Sequence, residues 1–250
     1  MRKVAAAVCL IAWIAGIAQE TPHEPIQIRR SPGFYKVTLV QAAPGKLTEL
    51  IDLYKQRFAA AAASAGDDAP LWMRHSQGDR WDLMILQPMK SYDLFFAPDR
   101  LAKRANAEQP FATKIRNDIA WQEDLYCFGP RLPELFAAFQ SAGFFHVEMF
   151  VALPGHLDDL YREREMENDY ARGVKQPENF IFVRDSGASW DLFTIGVFRD
   201  IKHYAESANL TPQQQDAAAK AAGFESASQI GPYLRRFISI HHDTLAVAIK

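Results

Sequence analysis

From residue 33 onward, apolar positions switch between the two-residue spacing of strands and the three-to-four-residue spacing of helices, and the order of switches occurs twice. Phe34 to Gln41 is rich in β-branched and aromatic residues and predicts a strand. Pro44-Gly45 breaks it. Leu47, Leu50, Ile51, Tyr54 and Phe58 then mark one apolar face of a helix, which Gly66 stops. Leu71 to Ser76 and Trp81 to Gln87, around a turn at Gly78-Asp79, predict a hairpin. A helical region and a last strand near Ile119 to Cys127 complete the order β-α-β-β-α-β. Strands are predicted again near 144–152, 180–185, 190–198 and 238–248. Thr211-Pro212, an N-cap followed by Pro at the first helical position, opens a further helix that Gly223 ends.

The repetition is visible in the residues themselves. Residues 33–50 and 143–160, at an offset of 110, are identical at eight of eighteen positions, where chance gives roughly one. The matches include Gly33/Gly143, Val37/Val147, Pro44/Pro154, Gly45/Gly155 and Leu50/Leu160. At offset 109, Gly78 matches Gly187 and Trp81-Asp82-Leu83 matches Trp190-Asp191-Leu192. At offset 119, Arg116, Ile119 and Asp124 match Arg235, Ile238 and Asp243, so the second copy has gained ten residues between about 199 and 233. The expected organisation is a first α+β repeat at 33–128, a connector at 129–142 with an amphipathic segment Leu132 to Phe139, and a second repeat at 143–250.

These signals resemble the dimeric α+β barrel superfamily, with NIPSNAP-like and antibiotic-biosynthesis-monooxygenase-like proteins as the nearest likenesses. The resemblance rests on the strand, the Pro-Gly-x-Leu helix start and the Trp-bearing hairpin. It implies two tandem ferredoxin-like units whose antiparallel sheets face each other as a pseudo-dimeric barrel within one chain. Members include cofactor-free oxygenases, isomerases and haem-binding enzymes, so the fold by itself selects no activity.

The start of the chain differs from the rest. Met1-Arg2-Lys3 is basic, Val4 to Ile17 is almost wholly apolar, and small residues surround a cut after Ala18. This is the pattern of a signal peptide at 1–18, followed by a flexible leader at 19–32 with three prolines, and it implies a periplasmic or secreted protein with no membrane span after cleavage. Loss of Arg2 and Lys3 takes the net charge from −2 to −4. With no Lys/Arg block, no nucleic-acid partner is expected, only a small-molecule ligand and a monomer or homodimer. Cys127 would be the one cysteine left, which excludes an internal disulfide and reads as a small buried residue.

Residues shared by both copies build the fold, so Trp81-Asp82 and Trp190-Asp191 read first as structural. Residues that differ are the site candidates. On 144–151, Phe145, Val147, Met149 and Val151 form an apolar parity expected to pack on the helices, which sends Phe144, His146, Glu148 and Phe150 into the barrel lumen. The first copy has Lys36 and Thr38 at the two middle positions. His146 and Glu148 lie on one side of a strand, where a proton-transfer pair near neutral pH is feasible. His241 and His242 point to opposite faces, and His241 is favoured as the third group. His146, Glu148 and His241 are therefore the catalytic candidates, with Phe150, Trp190, Arg184, His242 and Lys36 as binding candidates. No HxH or HxxxH spacing exists, so no metal is expected. No cofactor is expected either, haem being the one the resemblance admits, with His203 as its axial position. Arg162 to Glu167 reads as an exposed, ion-paired helix face. GxGxxG, P-loop, GxSxG and HExxH motifs are absent.

The expected function is small-molecule binding or cofactor-independent acid–base or oxygenase chemistry in the lumen. The alternatives are a non-catalytic periplasmic module and a haem protein. A lumen that encloses a cavity favours the first, and a lumen filled by side chains favours the second.

Overall fold

The computed structural model describes residues 32–249; the proposed signal and most of the leader lie outside that range. The first half runs β1 (Gly33–Ala42), α1 (Leu47–Ala65), β2 (Leu71–Gln77), β3 (Leu83–Pro88), α2 (Tyr92–Phe95), α3 (Pro98–Asn117) and β4 (Ile119–Gly129). After α4 (Leu132–Ser141), the order returns as β5 (Phe144–Ala152), α5 (Leu157–Gly173), β6 (Phe180–Gly187) and β7 (Leu192–Phe198). Three short helices follow, α6 (Ile201–Tyr204), α7 (Pro212–Ala221) and α8 (Ile230–Leu234), before the last strand β8 (Ile238–Ala248). The Thr211 side chain accepts from the Gln214 backbone and Gln214 answers in kind, a full capping box at the start of α7.

All eight strands pair antiparallel in one closed barrel, β1-β3-β2-β8-β5-β7-β6-β4, which leaves no sheet edge among the described residues. Strands of each half stay together, and the halves meet at two seams, β2 with β8 and β4 with β6. Both seams depend on a glycine. Gly78 has φ +122°, and a Cβ there would come within 2.2 Å of the Asp243 carbonyl. Gly187 has φ +101°, and a Cβ would come within 2.5 Å of the Asp124 carbonyl. Only glycine tolerates both the left-handed backbone and the close approach.

The shared Trp-Asp pairs are structural. Trp81 and Trp190 belong to the lumen core. Asp82 accepts from the Ala42 amide at 2.8 Å, and Asp191 accepts from the Ala152 amide at 2.9 Å. Each carboxylate thus closes the end of the neighbouring strand, β1 or β5.

The expected strand faces are reversed. Phe145, Val147 and Met149 point into the lumen, where they meet Tyr35, Val37 and Leu39 of β1 and Met73 of β2. An eight-stranded barrel is just wide enough for such side chains to fill it, so the lumen is a packed core. The helix α4 adds Leu135 and Phe139 to that core, with the Phe139 ring 4.7 Å from Phe145. Cys127 is also buried there, and burial pushes its thiol well above the ordinary range. Outside the barrel, α1 covers the first half through Leu50, Leu53 and Tyr54 and α3 through Ile115, while α5 and α8 cover the second through Leu160 and Leu234. Alternation along β5 correctly separates two faces. It carries no sign, because one face packs on strands and the other on helices, and both are buried.

Candidate functional site

With the lumen solid, His146, Glu148 and Phe150 lie on the outer face of β5, beneath the helices. Register sets Glu148 opposite Asp243 and Phe150 opposite His241 on β8. His241 therefore shares this face, and its ring stacks on Phe150 at 4.7 Å. His146 Nε2 is 3.0 Å from Asp243 Oδ1. His241 Nε2 is 3.4 Å from Glu148 Oε1 and 3.5 Å from Asp243 Oδ2. The three catalytic candidates do converge, but outside the barrel, so chemistry in the lumen is not what the fold offers. His241 Nε2 is buried and has no hydrogen-bond partner. Asp243 is exposed and opens the cluster to solvent.

The run Arg162 to Glu167, in sequence an exposed face, is partly turned inward. Glu163 and Arg164 are fully buried and face the sheet. Arg164 Nη1 donates to Glu148 at 3.2 Å, its Nε to Glu163 at 2.6 Å and its Nη2 to Glu167 at 2.6 Å. Thr194 Oγ1 on β7 completes the cradle at 3.1 Å from Glu148. Burial would push the Glu148 carboxyl up, but Arg164, His241 and His146 outweigh it and bring it to about 2. Burial pushes Glu167 up to about 8, helped by Glu148 and Glu163 against the pull of Arg164, and Glu163 is raised for similar reasons. Three carboxylates share one guanidinium, so one of the outer two keeps its proton. Sequence inspection missed Arg164, although its spacing from Leu157 and Leu160 places it on the apolar stripe of α5.

The same face in the first half is built differently. Lys36 Nζ is 3.1 Å from Asp124, Thr38 Oγ1 donates to Asp124 at 2.6 Å, and Gln122 donates to it at 3.3 Å. Above them α1 and α3 leave a cavity of about 300 Å³. Tyr54, Phe58, Phe95, Phe96 and Tyr126 supply aromatic walls. Lys36, Arg57 and Arg104 line it beside Glu108, and Lys36 and Arg104 are themselves paired with Asp124 and Asp67, the latter at 2.7 Å. Arg57 pairs with Glu108 at 3.1 Å, while its buried Nε has no partner. Burial pushes the Tyr54 phenol up to about 12 despite Arg57 nearby. Of its lining residues, Phe96 and Leu101 are exposed large hydrophobics.

Lys36 thus lies at a cavity, separate from the other binding candidates. Trp190, Arg184 and His242 instead form part of the seam structure. Trp190 Nε1 donates to Glu123 at 2.8 Å, while Arg184 Nε donates to the Trp190 carbonyl at 2.9 Å and its guanidinium pairs with Asp191. His242 bonds Asp79 at 2.9 Å and sets its ring 4.8 Å from Trp190. None of the three reaches His146, because β8 turns His242 to the other face.

Solved structures that resemble this one are of the dimeric α+β barrel type. An anthrone oxidase-like protein aligns over 88% of this chain and 93% of its own, with 11% identity and a TM-score of 0.61. A candidate monooxygenase from Fusobacterium nucleatum subsp. nucleatum aligns over 88% and 94%, with 10% identity and a TM-score of 0.53. A haem-binding protein from Thermus thermophilus aligns over 88% and 92%, with 9% identity and a TM-score of 0.43, too loose to argue from. No protein-family model and no curated protein matches the sequence. These likenesses are of fold.

His203 Nδ1 is engaged by the Arg199 amide at 3.2 Å, and its ring lies against Phe198 at 5.6 Å. Between β5 and α5 the space is filled by Arg164 and the carboxylates of Glu148, Glu163 and Glu167.

Proposed function

We propose that the chain is a small-molecule-binding protein whose ligand site is the outer-face cavity of the first half, and that the ligand is a planar, mostly apolar molecule carrying an acidic oxygen. The observation that carries this reading is the cavity of about 300 Å³, lined by five aromatic side chains together with Arg57, whose Nε has no acceptor. Rings supply area for a flat ligand. Arg57 offers a buried N–H without an acceptor, a donor that a carboxylate or enolate oxygen would satisfy. Phe96 and Leu101, exposed apolar residues of the lining, would meet such a ligand as it enters. A second cavity of about 460 Å³ adjoins it and shares Arg57, Glu108 and Gln122, leaving room for a longer ligand. A structural neighbour's name contains anthrone oxidase, and anthrone is a tricyclic compound with an acidic enol oxygen, so oxygenase-type chemistry on such a ligand is the activity to assay first.

Calorimetric titration of the full mature chain with 2-naphthoate and with anthrone tests the reading. One-to-one binding is expected. Arg57→Gln should weaken naphthoate at least tenfold and leave the neutral 2-naphthalenemethanol unchanged. Ala105→Trp, at the cavity wall, should abolish both. Absence of binding, or binding indifferent to Ala105→Trp, would overturn it.

Three further readings belong to the same proposal. The halves are tandem ferredoxin-like copies, supported by the repeated element order and by both seams. A NIPSNAP-like ancestry is supported by the Pro-Gly helix starts and the Trp-bearing hairpins. Export is supported by the apolar, basic-headed segment 1–18, and N-terminal sequencing of the protein from its host would show Gln19 first. No helix of the described residues is long and apolar enough to cross a membrane.

A further inference from the structure

The two outer faces differ in where their positive charge comes from. In the first half, the Lys36 ammonium lies against Asp124 at 3.1 Å. At the matching positions of the second half, imidazole replaces ammonium at His146, carboxylate replaces hydroxyl at Glu148, and imidazole replaces amide at His241, while Asp243 repeats Asp124. At the strand positions the second half replaces the Lys36 ammonium and gains a carboxylate and two metal-competent nitrogens, its fixed cation being Arg164 on α5 behind them. From this exchange we infer that His146, Glu148, His241 and Asp243 form a binding site for a divalent first-row transition ion, zinc being the simplest occupant.

The geometry supports it independently of composition. One donor atom each from His146, Glu148 and Asp243 lies within 4.8 Å of the others. A tetrahedral ion with donors at about 2.1 Å has ligand atoms about 3.4 Å apart. His146 Nε2 is 3.0 Å from Asp243 Oδ1, while His241 Nε2 is 3.4 Å from Glu148 Oε1 and 3.5 Å from the other Asp243 oxygen, so His241 adjoins the three-residue group and small side-chain shifts would bring the four donors around one ion. His241 Nε2 is buried and points into this group, where its nearest polar neighbours are the Glu148 and Asp243 carboxylates at 3.4 and 3.5 Å, too far for a well-formed hydrogen bond. Two carboxylates and two neutral imidazoles neutralise a divalent charge. Arg164 and Thr194 hold Glu148 from behind, as partners of metal-ligating carboxylates do. The exposed Asp243 gives the ion its way in. Two nitrogens and two oxygens suit zinc, iron or manganese better than calcium or magnesium. The residues used here lie in the other half from the proposed ligand cavity, so neither reading depends on the other.

The test uses the full chain after chelator treatment. Calorimetric titration with zinc should give one ion per chain, and cobalt substituted at the site should give the visible absorption bands of a four-coordinate ion. His241→Gln and Glu148→Thr, which install the first half's residues, should each weaken zinc binding at least tenfold. Lys36→Met should not change it. Circular dichroism checks that each variant folds; if Glu148→Thr does not, His241→Gln on the partly exposed β8 position decides alone. Zinc binding of equal strength in His241→Gln, or none in the parent chain, would overturn the inference, since His156–Asp159 and His242–Asp79 could then account for adventitious ions.

Discussion

The imidazole of His146 on β5 and the carboxylate of Asp243 on β8 stand 3.0 Å apart across neighbouring strands. Lys36 and Asp124 repeat the contact in the other half at 3.1 Å, so both outer faces keep one cation-to-carboxylate bridge at the same register. Both bridges are partly open to water, where such pairs contribute about 0–1 kcal/mol. Their placement matters more than their strength: each lies at the floor of the site proposed for its half.

Arg164 is a different case, because it is buried with three carboxylates. Arg164→Met should cost about 3–5 kcal/mol, since Glu148 and Glu163 would be left buried without a counter-charge. Adding Glu148→Leu and Glu163→Leu should recover much of that loss. Urea unfolding of the single and triple variants checks both expectations.

The raised Glu167 carboxyl predicts a pH dependence whose sign is fixed. In the folded chain it releases its proton only at about 8, whereas an unfolded glutamate does so at about 4.3. Between these values the folded state holds the extra proton, so stability is highest below about 4.3 and falls as pH rises through about 8. Glu167→Gln removes this contribution. Thermal melts of both proteins across the range from roughly pH 5 to 8.5 should show the parent losing stability relative to the variant as pH rises.

At the seams, Gly78→Ala and Gly187→Ala should each destabilise by at least about 1–3 kcal/mol from backbone conformation alone, before the clash with the opposing carbonyl is counted. The damage should be local to barrel closure. Hydrogen exchange of β2 and β8 should rise in Gly78→Ala, and that of β4 and β6 in Gly187→Ala.

The strand-end carboxylates give a matched pair. Asp82→Ala and Asp191→Ala each leave one backbone amide, of Ala42 or Ala152, without its acceptor, and Asp191→Ala also removes the partner of Arg184. A loss of about 1–3 kcal/mol is expected for each, and the two should add, since the pairs lie in different halves. Denaturant unfolding of the single and double variants tests this.

Much of the architecture is legible in the order of residues. Strand and helix periods are local properties, and a duplicated order of eight strands constrains topology strongly, so β1 to β8 fall close to where alternation and the Pro-Gly breaks put them. The grouping of His146, Glu148 and His241 is legible too, because strand parity places alternate residues on one face. Which face is not. Closing the barrel buries one side of β5 against other strands and the other against α5, and an alternating pattern reads the same either way. Nor can charge reveal burial. Arg164 looks like a solvated residue in Arg162 to Glu167 until α5 is laid on the sheet and Glu148 is found beneath it.

By itself, then, the order of residues determined the elements, their repetition and the side chains that share a strand face, because those follow from local backbone geometry. The tertiary structure decided that the lumen is solid, that the polar cluster sits outside it, and that one half encloses a cavity where the other packs an arginine. Those outcomes depend on which surfaces meet when the seams close, and the seams join residues far apart in the chain.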